Sequence, residues 1–356
     1  MSALPDKIHL VGSIGLDNAE EVFRTVGRAF GARLKRVPDG EPGPRRLWVS
    51  FQYPLLRSSP YLRPDPSGAV RKTSGFPLLC LAEGVTADEV RFGELGYARE
   101  ARASYLDFCE ARTRGDIAKT ARFQVCLPTP MGVTYAFCTA RDILAITAAY
   151  EAAMIREVKE VCRTIPLHDL CIQWDFCHEM VIWDGQAVVW DGQRQENMFP
   201  TAGTSPNEIV DHIVRICAPI PDEAELGFHL CYGDFGARHF VEPADAAKMV
   251  EVMNAFSAAV THPIAYFHIP VPIARTDDAF YRPLRELKLP RATELYLGLV
   301  HAKDGPEGTR KRIDVARKYV SDFGIATECG FARARTRQVI EQILDVHVAT
   351  TAKPAS

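Results

Sequence analysis

With 356 residues, of which 47% are hydrophobic and 24% charged, the chain has an ordinary globular composition and room for one large domain. A formal net charge of −3 offers no basic surface for nucleic acid, and no apolar run approaches the roughly 20 residues of a membrane span. We therefore expect small-molecule substrates and neither a nucleic-acid nor a membrane partner, while the oligomeric state stays open.

The cysteines and the first residues bear on the cellular compartment. Residues 1–11 lack the charged and then apolar layout of a signal peptide. The ten cysteines are scattered through apolar segments of a long chain, unlike the dense framework of a small secreted domain. Both observations predict a cytoplasmic protein whose cysteines are reduced.

Short β-rich runs alternate with amphipathic stretches along the chain. Eight strands are predicted, at residues 8–12, 32–37, 123–127, 170–175, 226–231, 264–268, 295–299 and 324–327. Helices are predicted at residues 18–30, 140–164, 207–216, 244–259, 308–322 and 335–348. Such alternation is typical of a parallel sheet, and eight units that close on themselves form a (β/α)8 TIM barrel. We predict a single α/β barrel over residues 1–349, followed by a frayed tail at 350–356.

One connection is much longer than the others. Roughly eighty residues separate the second predicted strand from the third, and they include a segment rich in proline and arginine at 38–65. We expect a long excursion between strands two and three that crosses the top of the barrel, where enzymes of this fold build their sites.

Polar side chains follow most of the predicted strands, at the ends where barrel enzymes place their chemistry. The candidate site residues at these ends are Gly12, Ser13, Asp39, Glu41, Arg45, Arg46, Asp175, His229, Cys231, His268, His301, Glu328 and Cys329. Of these, Arg45 and Arg46 could clamp a carboxylate, phosphate or sulfonate, because guanidinium groups match such anions with two parallel donors.

The most informative pattern is a His-x-Cys pair in one strand and a distant cysteine after another. His229 and Cys231 lie two residues apart, so their side chains point to the same face of a strand. Cys329 follows the last predicted strand and precedes a glycine. One imidazole and two thiolates suit zinc, and three protein ligands leave a coordination position open, as catalytic zinc requires. The pattern predicts a zinc cofactor.

Several of these residues also have structural interpretations. Cys231 and Cys329 could be buried apolar cysteines of the core. Asp39 and Glu41 lie in a Pro/Gly-rich turn, where aspartate is favoured for its turn geometry alone. Ser13 could cap the helix that follows it.

At these residues the chain resembles the catalytic carboxyl-terminal barrel of cobalamin-independent methionine synthase, in the superfamily that also holds uroporphyrinogen decarboxylase. The resemblance rests on His-Leu-Cys-Tyr-Gly-Asp-Phe at 229–235, on Gln-Trp-Asp at 173–175, and on Leu-Val-Gly-Ser at 10–13. It spans most of the chain, up to residues 329–330, and does not include the amino-terminal barrel of the full-length synthase.

This resemblance implies a ligand set and part of a substrate site. His229, Cys231 and Cys329 fall where the family binds zinc. Gly12 and Ser13 fall where the family holds the carboxylate of homocysteine.

The resemblance also implies roles for three further residues. Asp175 falls where the family holds the ammonium group of homocysteine, and His301 lies near a family histidine that acts in proton transfer. The family's glutamate ligand on the sixth strand is replaced here by His268, and the family's long folate-contacting segments are not evident.

The predicted activity is that of a zinc-dependent enzyme that moves a methyl or other alkyl group from a donor to a zinc-activated thiol. His301 or Glu328 would protonate the leaving group. A zinc-dependent lyase, hydrolase or ring-opening enzyme that acts on a small acidic metabolite is the alternative. A ligand-binding barrel without activity, or a metal-free decarboxylase, is a third.

Overall fold

The computed structural model describes residues 4–71, 74–190, 193–194, 204–236 and 238–352. Its strands are β1 (Arg36–Pro38), β2 (Leu62–Pro64), β3 (Leu79–Leu81), β4 (Arg122–Pro128), β5 (Leu170–Phe176), β6 (Val189–Trp190), β7 (Gln193–Arg194), β8 (Glu225–Leu230), β9 (Ile264–Pro270), β10 (Glu294–Val300) and β11 (Gly324–Thr327). Its α-helices are α1 (Ala19–Phe30), α2 (Tyr53–Ser58), α3 (Tyr97–Arg114), α4 (Pro130–Phe137), α5 (Ile143–Thr164), α6 (His178–Asp184), α7 (Pro206–Cys217), α8 (Ala247–Ala259), α9 (Asp278–Tyr281), α10 (Gly305–Ala316) and α11 (Arg337–Thr350).

Seven strands form one parallel sheet in the order β1-β4-β5-β8-β9-β10-β11. Helices connect its strands, so the predicted α/β class is confirmed. Every residue of β5 is buried, which is the expected state of a parallel strand that is covered on both faces. Five of the seven residues of β5 are accordingly apolar, and its two polar residues, Gln173 and Asp175, are buried as well.

The predicted first strand, residues 8–12, is not a strand in the structure. Ile8 makes isolated parallel bridges to Leu34 and to Ile325, so it lies between the two ends of the curled sheet. The pairing does not extend, because the chain soon turns away and Ile14 bonds to Gly40 and bridges Phe331 instead. The second predicted strand is likewise shorter than expected, since residues 31–33 form a 3-10 helix before β1 begins at Arg36.

The chain between β1 and β4, predicted as an excursion, has its own secondary structure. A 3-10 segment at Gly43–Gln52 leads into α2, and β2 and β3 pair as an antiparallel ribbon. The long helix α3 then packs against α1 and α5. The sequence analysis missed α3, because charged residues interrupt its apolar stripe.

The predicted tail begins inside the last helix. α11 ends at Thr350, which is fully buried, and the amide of Ala352 donates to the carbonyl of Pro5. Residues 353–356 lie outside the described part of the chain.

One end of the sheet, at the amino ends of the strands, is closed by an ionic cluster. Arg36 of β1 pairs with Glu225 at the start of β8 and with Glu294 at the start of β10. Its guanidinium also lies over the ring of Tyr266, 4.6 Å from the centroid. Since this end is filled by structural pairs, the carboxyl end remains for chemistry.

In the part of the chain that the structure describes, no helix is both long and apolar enough to cross a membrane.

Candidate metal and substrate site

The three candidate metal ligands come together at the carboxyl ends of two strands. His229 lies near the end of β8, Cys231 directly follows that strand, and Cys329 follows β11. Their ligand atoms lie within 4.8 Å of one another. Among the described residues these three form the one such histidine–cysteine cluster.

The geometry of the two sulfurs fits a shared zinc ion. Cys231 Sγ and Cys329 Sγ are 3.7 Å apart, and both cysteines are free. Two sulfurs at tetrahedral positions about 2.3 Å from one zinc would be separated by about 3.8 Å. A disulfide would require about 2.05 Å. The separation therefore matches two sulfurs that bind the same metal ion, and it does not match a disulfide bond.

Burial and hydrogen bonds set the protonation of the two thiols when no cation is bound. The pKa of the Cys231 thiol is raised by a hydrogen bond to Cys177 and by burial, and that of Cys329 by its hydrogen bond to Cys231 and by burial. Without a cation both thiols therefore keep their protons. A bound cation reverses this preference, because it stabilises the thiolate directly.

His268 contacts His229 and not the sulfurs. The two Nδ1 atoms are 2.7 Å apart, so one of them carries the proton that the other accepts. Nε2 of His229 is buried and has no hydrogen-bond partner among the described residues. If His229 Nδ1–H donates to His268, the lone pair of His229 Nε2 is left for a metal, which is the usual arrangement of a ligating histidine and its supporting partner.

The cluster opens into a cavity of about 340 Å³. Its polar lining includes residues from six chain segments: Gly12, Ser13, Glu41, Arg71, Asp175, His178, His229, Cys231, Asp234, Cys329 and Arg333. Its apolar lining includes Leu47, Trp48, Val49, Phe76, Phe137, Phe235 and Phe240. A ligand in this cavity would contact the sulfurs at one end and an aromatic wall elsewhere.

Glu41 and Asp175 form a pair of buried carboxyls beside the cluster. Burial and the charge of Asp175 raise the pKa of Glu41 to about 8. Burial raises the pKa of Asp175 to about 7, although Gln173 and the Trp48 side chain donate hydrogen bonds to it. Two neighbouring carboxyls that cannot both ionise freely form an environment that favours a cation.

Gly12 and Ser13 lie against this pair and against the last strand. A Cβ on Gly12 would lie 3.3 Å from an oxygen of Glu41, so the backbone passes close to that carboxyl. The amide of Phe331 donates to the carbonyl of Ser13 at 2.7 Å. Only a glycine fits at position 330, since a Cβ there would lie 2.2 Å from Ser13 Oγ. The chain therefore holds Ser13 next to Cys329.

Three residues expected at the site have structural partners instead. Arg45 donates to Asp39 at 2.7 Å, and Ser104 donates to the same carboxylate. Arg46 donates to the carbonyl of Leu16. The described lining of the cavity includes none of Asp39, Arg45 and Arg46, which hold the β1 loop in shape.

His301 and Glu328 contact each other behind the cavity. His301 Nε2 is 3.0 Å from the carbonyl of Val271, so Nε2 carries the proton. His301 Nδ1 then faces Glu328 at 3.4 Å as an acceptor. Burial raises the pKa of Glu328 to about 7 and lowers that of His301 to about 3. The Glu328 carboxyl therefore gains and loses its proton near neutral pH, beside a neutral imidazole.

The sequence analysis missed several residues that line the cavity. Cys177 follows β5 and hydrogen-bonds Cys231, and His178 beside it also lines the cavity; neither is among the candidate residues of the sequence analysis. Arg333 and Trp48 line it as well. The run of three arginines at alternate positions from 333 to 337 was the signal available for Arg333.

Fold and cluster together define an α/β protein with a candidate site for one metal ion at the carboxyl ends of its parallel strands. No family model matches the sequence, and no curated protein was found to be similar. Among solved structures, a Listeria monocytogenes protein described as a vitamin-B12-independent methionine synthase matches with a TM-score of 0.53 and 13% identity over 98% of each chain. A B12-independent methionine synthase from Shewanella sp. W3-18-1, solved in complex with selenomethionine, matches with a TM-score of 0.58 and 14% identity over 98% of this chain and 97% of that one. At these identities the chain shares their fold.

Proposed function

We propose that the protein is a zinc-dependent transferase that moves a methyl or other alkyl group from a small donor to a zinc-activated thiol. The observation that carries the proposal is the convergence of His229, Cys231 and Cys329 at the floor of a cavity, with their ligand atoms within 4.8 Å of one another. The fold shared with methionine synthases, one of which was solved with selenomethionine, agrees with this class.

A zinc ion held by one imidazole and two thiolates would favour a further thiol as ligand and lower the pKa of that thiol. Glu41 and Asp175 would bind a cationic group of a substrate, because a positive charge stabilises the ionised form of two neighbouring buried carboxyls. Glu328 and His301 lie behind the described lining of the cavity, so they would supply the proton for the leaving group through an intervening water.

The proposal includes a closed eight-stranded barrel. The bridges of Ile8 to Leu34 and Ile325 support segment 7–14 as its eighth, shortened strand. The chain between β1 and β4 would then cover the barrel mouth, since Trp48 and Phe76 from that segment line the cavity. All ten cysteines are free, which agrees with a protein that acts in the reducing cytoplasm.

Metal content tests the assignment. Purified protein is expected to hold one zinc per chain, with two sulfur neighbours by zinc-edge absorption spectroscopy. Cys329→Ser is expected to lose most of this zinc and the transfer of alkyl groups to homocysteine, because serine is a poor ligand for zinc at neutral pH.

Cys162→Ser is the matched control, since Cys162 lies on α5, far along the chain from the cluster, and is also partly buried. It should keep full zinc. Full zinc content and activity in Cys329→Ser would rule out the proposed centre.

One observation favours a second candidate, a zinc-dependent lyase, hydrolase or ring-opening enzyme on the same fold. His268 contacts His229 and no carboxylate joins the cluster within the described chain. Three ligands leave room for water as well as for a thiol. Incubation with homocysteine and alkyl donors separates the two, because only the transferase consumes thiol.

A further inference from the structure

Glu41 presents a carboxyl group to the cavity without a hydrogen-bond donor. The residue lines the cavity and is 8% exposed. Its amide bonds to Asp39 at 2.9 Å, but no described residue donates to its carboxylate, since nearby Arg45 pairs with Asp39 instead. Its backbone has a φ of 53°, which residues with a side chain adopt at a cost. A buried carboxyl held in this way is suited to a positively charged ligand.

Aromatic rings line the same cavity. They belong to Trp48, Phe76, Phe137, Phe235 and Phe240. Trp48 joins the rings to the carboxyls, because its side chain donates to Asp175 and its ring lies 5.6 Å from that of His178. Its backbone, with φ 55° and ψ −114°, breaks the 3-10 segment at this residue. The fold thus accepts a local strain that brings an indole ring next to a buried carboxyl.

Two arginines of the described chain also line the cavity, and both have polar partners. Arg71 donates to two carbonyls at the carboxyl end of α4, at 2.6 and 2.9 Å. Arg333 lies 3.4 Å from a carboxylate oxygen of Asp234. Their charges are partly offset by these contacts, whereas no hydrogen bond from the described residues offsets a charge on Glu41. The side of the cavity formed by the carboxyls and the rings therefore favours a cation.

We propose that this side of the cavity binds the alkyl donor, and that the donor is an onium cation, in which alkyl groups surround a positively charged nitrogen or sulfur. The inference rests on the proposed function, and it assigns to the donor the cationic group for which Glu41 and Asp175 are suited. Aromatic rings attract such a cation through their negative faces, and its alkyl groups bury apolar surface against them. The carboxyls supply the opposite charge.

The transfer balances without a further reactant. The acceptor thiol loses its proton, and its sulfur attacks an alkyl carbon of the cation. A carbon–sulfur bond forms, and the electron pair of the broken bond goes to the leaving nitrogen or sulfur. A sulfonium leaves as a neutral thioether, so that the proton of the thiol passes to solvent. A quaternary ammonium leaves as a tertiary amine, which takes up the proton that the proposed function assigns to Glu328 and His301.

Binding calorimetry on the zinc-loaded protein tests the inference with two probes of nearly equal shape. Choline carries a trimethylammonium group, and 3,3-dimethylbutan-1-ol has a carbon in place of the nitrogen. Choline is expected to bind about ten- to a hundredfold more tightly, because only a cation gains from the carboxyls and the ring faces. Equal or tighter binding of the neutral alcohol, or binding of neither probe, overturns the inference.

Variants of the lining show which groups carry the preference. Trp48→Leu and Glu41→Gln are each expected to reduce the preference for choline by about fivefold or more, and Trp48→Phe to keep part of it. Phe51→Leu is the control, since Phe51 lies in the same segment, packs on Tyr97 with ring centroids 5.3 Å apart and is not in the described lining. It should keep the wild-type preference. An unchanged preference in both Trp48→Leu and Glu41→Gln overturns the inference.

Trimethylsulfonium chloride tests the donor directly, because transfer of one methyl group to homocysteine releases dimethyl sulfide, which gas chromatography measures. The wild type is expected to release it at least about tenfold faster than Cys329→Ser. Tetramethylammonium chloride, followed by the release of trimethylamine, tells an ammonium donor from a sulfonium donor. Enzyme-dependent methylation by neutral methyl iodide alone would overturn the inference and leave the proposed transferase intact. If none of the three donors reacts on a protein that holds one zinc, the proposed function fails, and this inference fails with it.

Discussion

At the scale of single residues, the candidate site is built from groups whose burial is costly without a ligand. His229 Nε2 has no hydrogen-bond partner among the described residues, burial and hydrogen bonding raise the pKa of the Cys329 thiol, and burial raises the pKa of Glu41 and of Asp175. Each of these costs would be relieved by a cation or by a substrate with a positive group. The site is thus prepared for binding at the expense of stability.

The cost of burying the carboxyls of Glu41 and Asp175 can be measured from the pH dependence of the free energy of unfolding. The pKa of Glu41 is about 8 in the folded protein against 4.5 for a free glutamate, so the folded state binds more protons than the unfolded state between these values. The free energy of unfolding therefore decreases as pH rises from about 5 to 8. Glu41→Gln should remove much of this slope and stabilise the metal-free protein at pH 8 by on the order of 1–3 kcal/mol.

Urea unfolding of both proteins at pH 5 and pH 8 measures the effect. The variant should gain little at pH 5, where Glu41 is protonated in the folded state. An equal gain at both values would mean that Glu41 binds the same number of protons in the folded and unfolded states, so that folding does not raise its pKa.

At the scale of elements, periodicity predicted the helices and strands that have a regular apolar pattern. It did not predict features that depend on packing between distant segments. The helices α1, α5 and α11 begin within three residues of their predicted starts, because each carries a regular apolar stripe. The predicted strand at 324–327 matches β11. The segment at 8–12 looks equally β-rich, but whether it forms a ladder depends on where its neighbours turn away, and that is set by distant residues.

The residues of the candidate site were likewise predicted where a local pattern identifies them, and missed where distant segments position them. The His-x-Cys pattern predicted the cluster because two ligands two residues apart must share a face of the strand. Arg333 and Trp48 line the cavity through loops whose course no local pattern encodes. The pairing of Arg45 with Asp39 was likewise not predicted, because the sequence does not distinguish an arginine that binds a substrate from one that stabilises a loop.

The packing of neighbouring strands gives a prediction at this scale. Gly227 of β8 faces Tyr266 of β9, and a Cβ there would lie 2.1 Å from the tyrosine ring. The ring cannot withdraw easily, because its hydroxyl donates to Gln173 and it is fully buried. Gly227→Ala should therefore destabilise the protein by about 3 kcal/mol or more, as judged from urea midpoints.

Gly93→Ala provides the comparison. An added methyl group at this exposed position would meet no described atom within 4 Å. Its change in unfolding free energy should stay within about 0.5 kcal/mol. A mild effect at Gly227 would show that β8 and β9 can separate without loss of the sheet.

At the scale of the whole molecule, one end of the sheet carries a stabilising ionic cluster and the other carries the candidate site. The amino end carries the cluster of Arg36 with Glu225 and Glu294, and the carboxyl end carries the candidate metal site. Glu225 and His229 lie on the same strand, four residues apart, which corresponds to about 13 Å. The sheet core fills the space between the two ends.

Arg36→Met should therefore lower stability without changing the metal site. The Arg36 side chain is 6% exposed, and its loss leaves the carboxylate of Glu294, 11% exposed, with Lys35 at 2.6 Å as its remaining close partner. Because that partner remains, the loss should be about 1–3 kcal/mol, below the cost of leaving a buried charge unpaired, whereas Lys311→Ala, in an exposed pair, should cost less than about 1 kcal/mol. Thermal unfolding measures the loss, and chelator competition measures the zinc affinity of the protein that remains folded. That affinity should equal the wild-type value, because the strands that carry the ligands are held by their own ladder of hydrogen bonds; a parallel loss of zinc would mean that the two ends are coupled through the sheet.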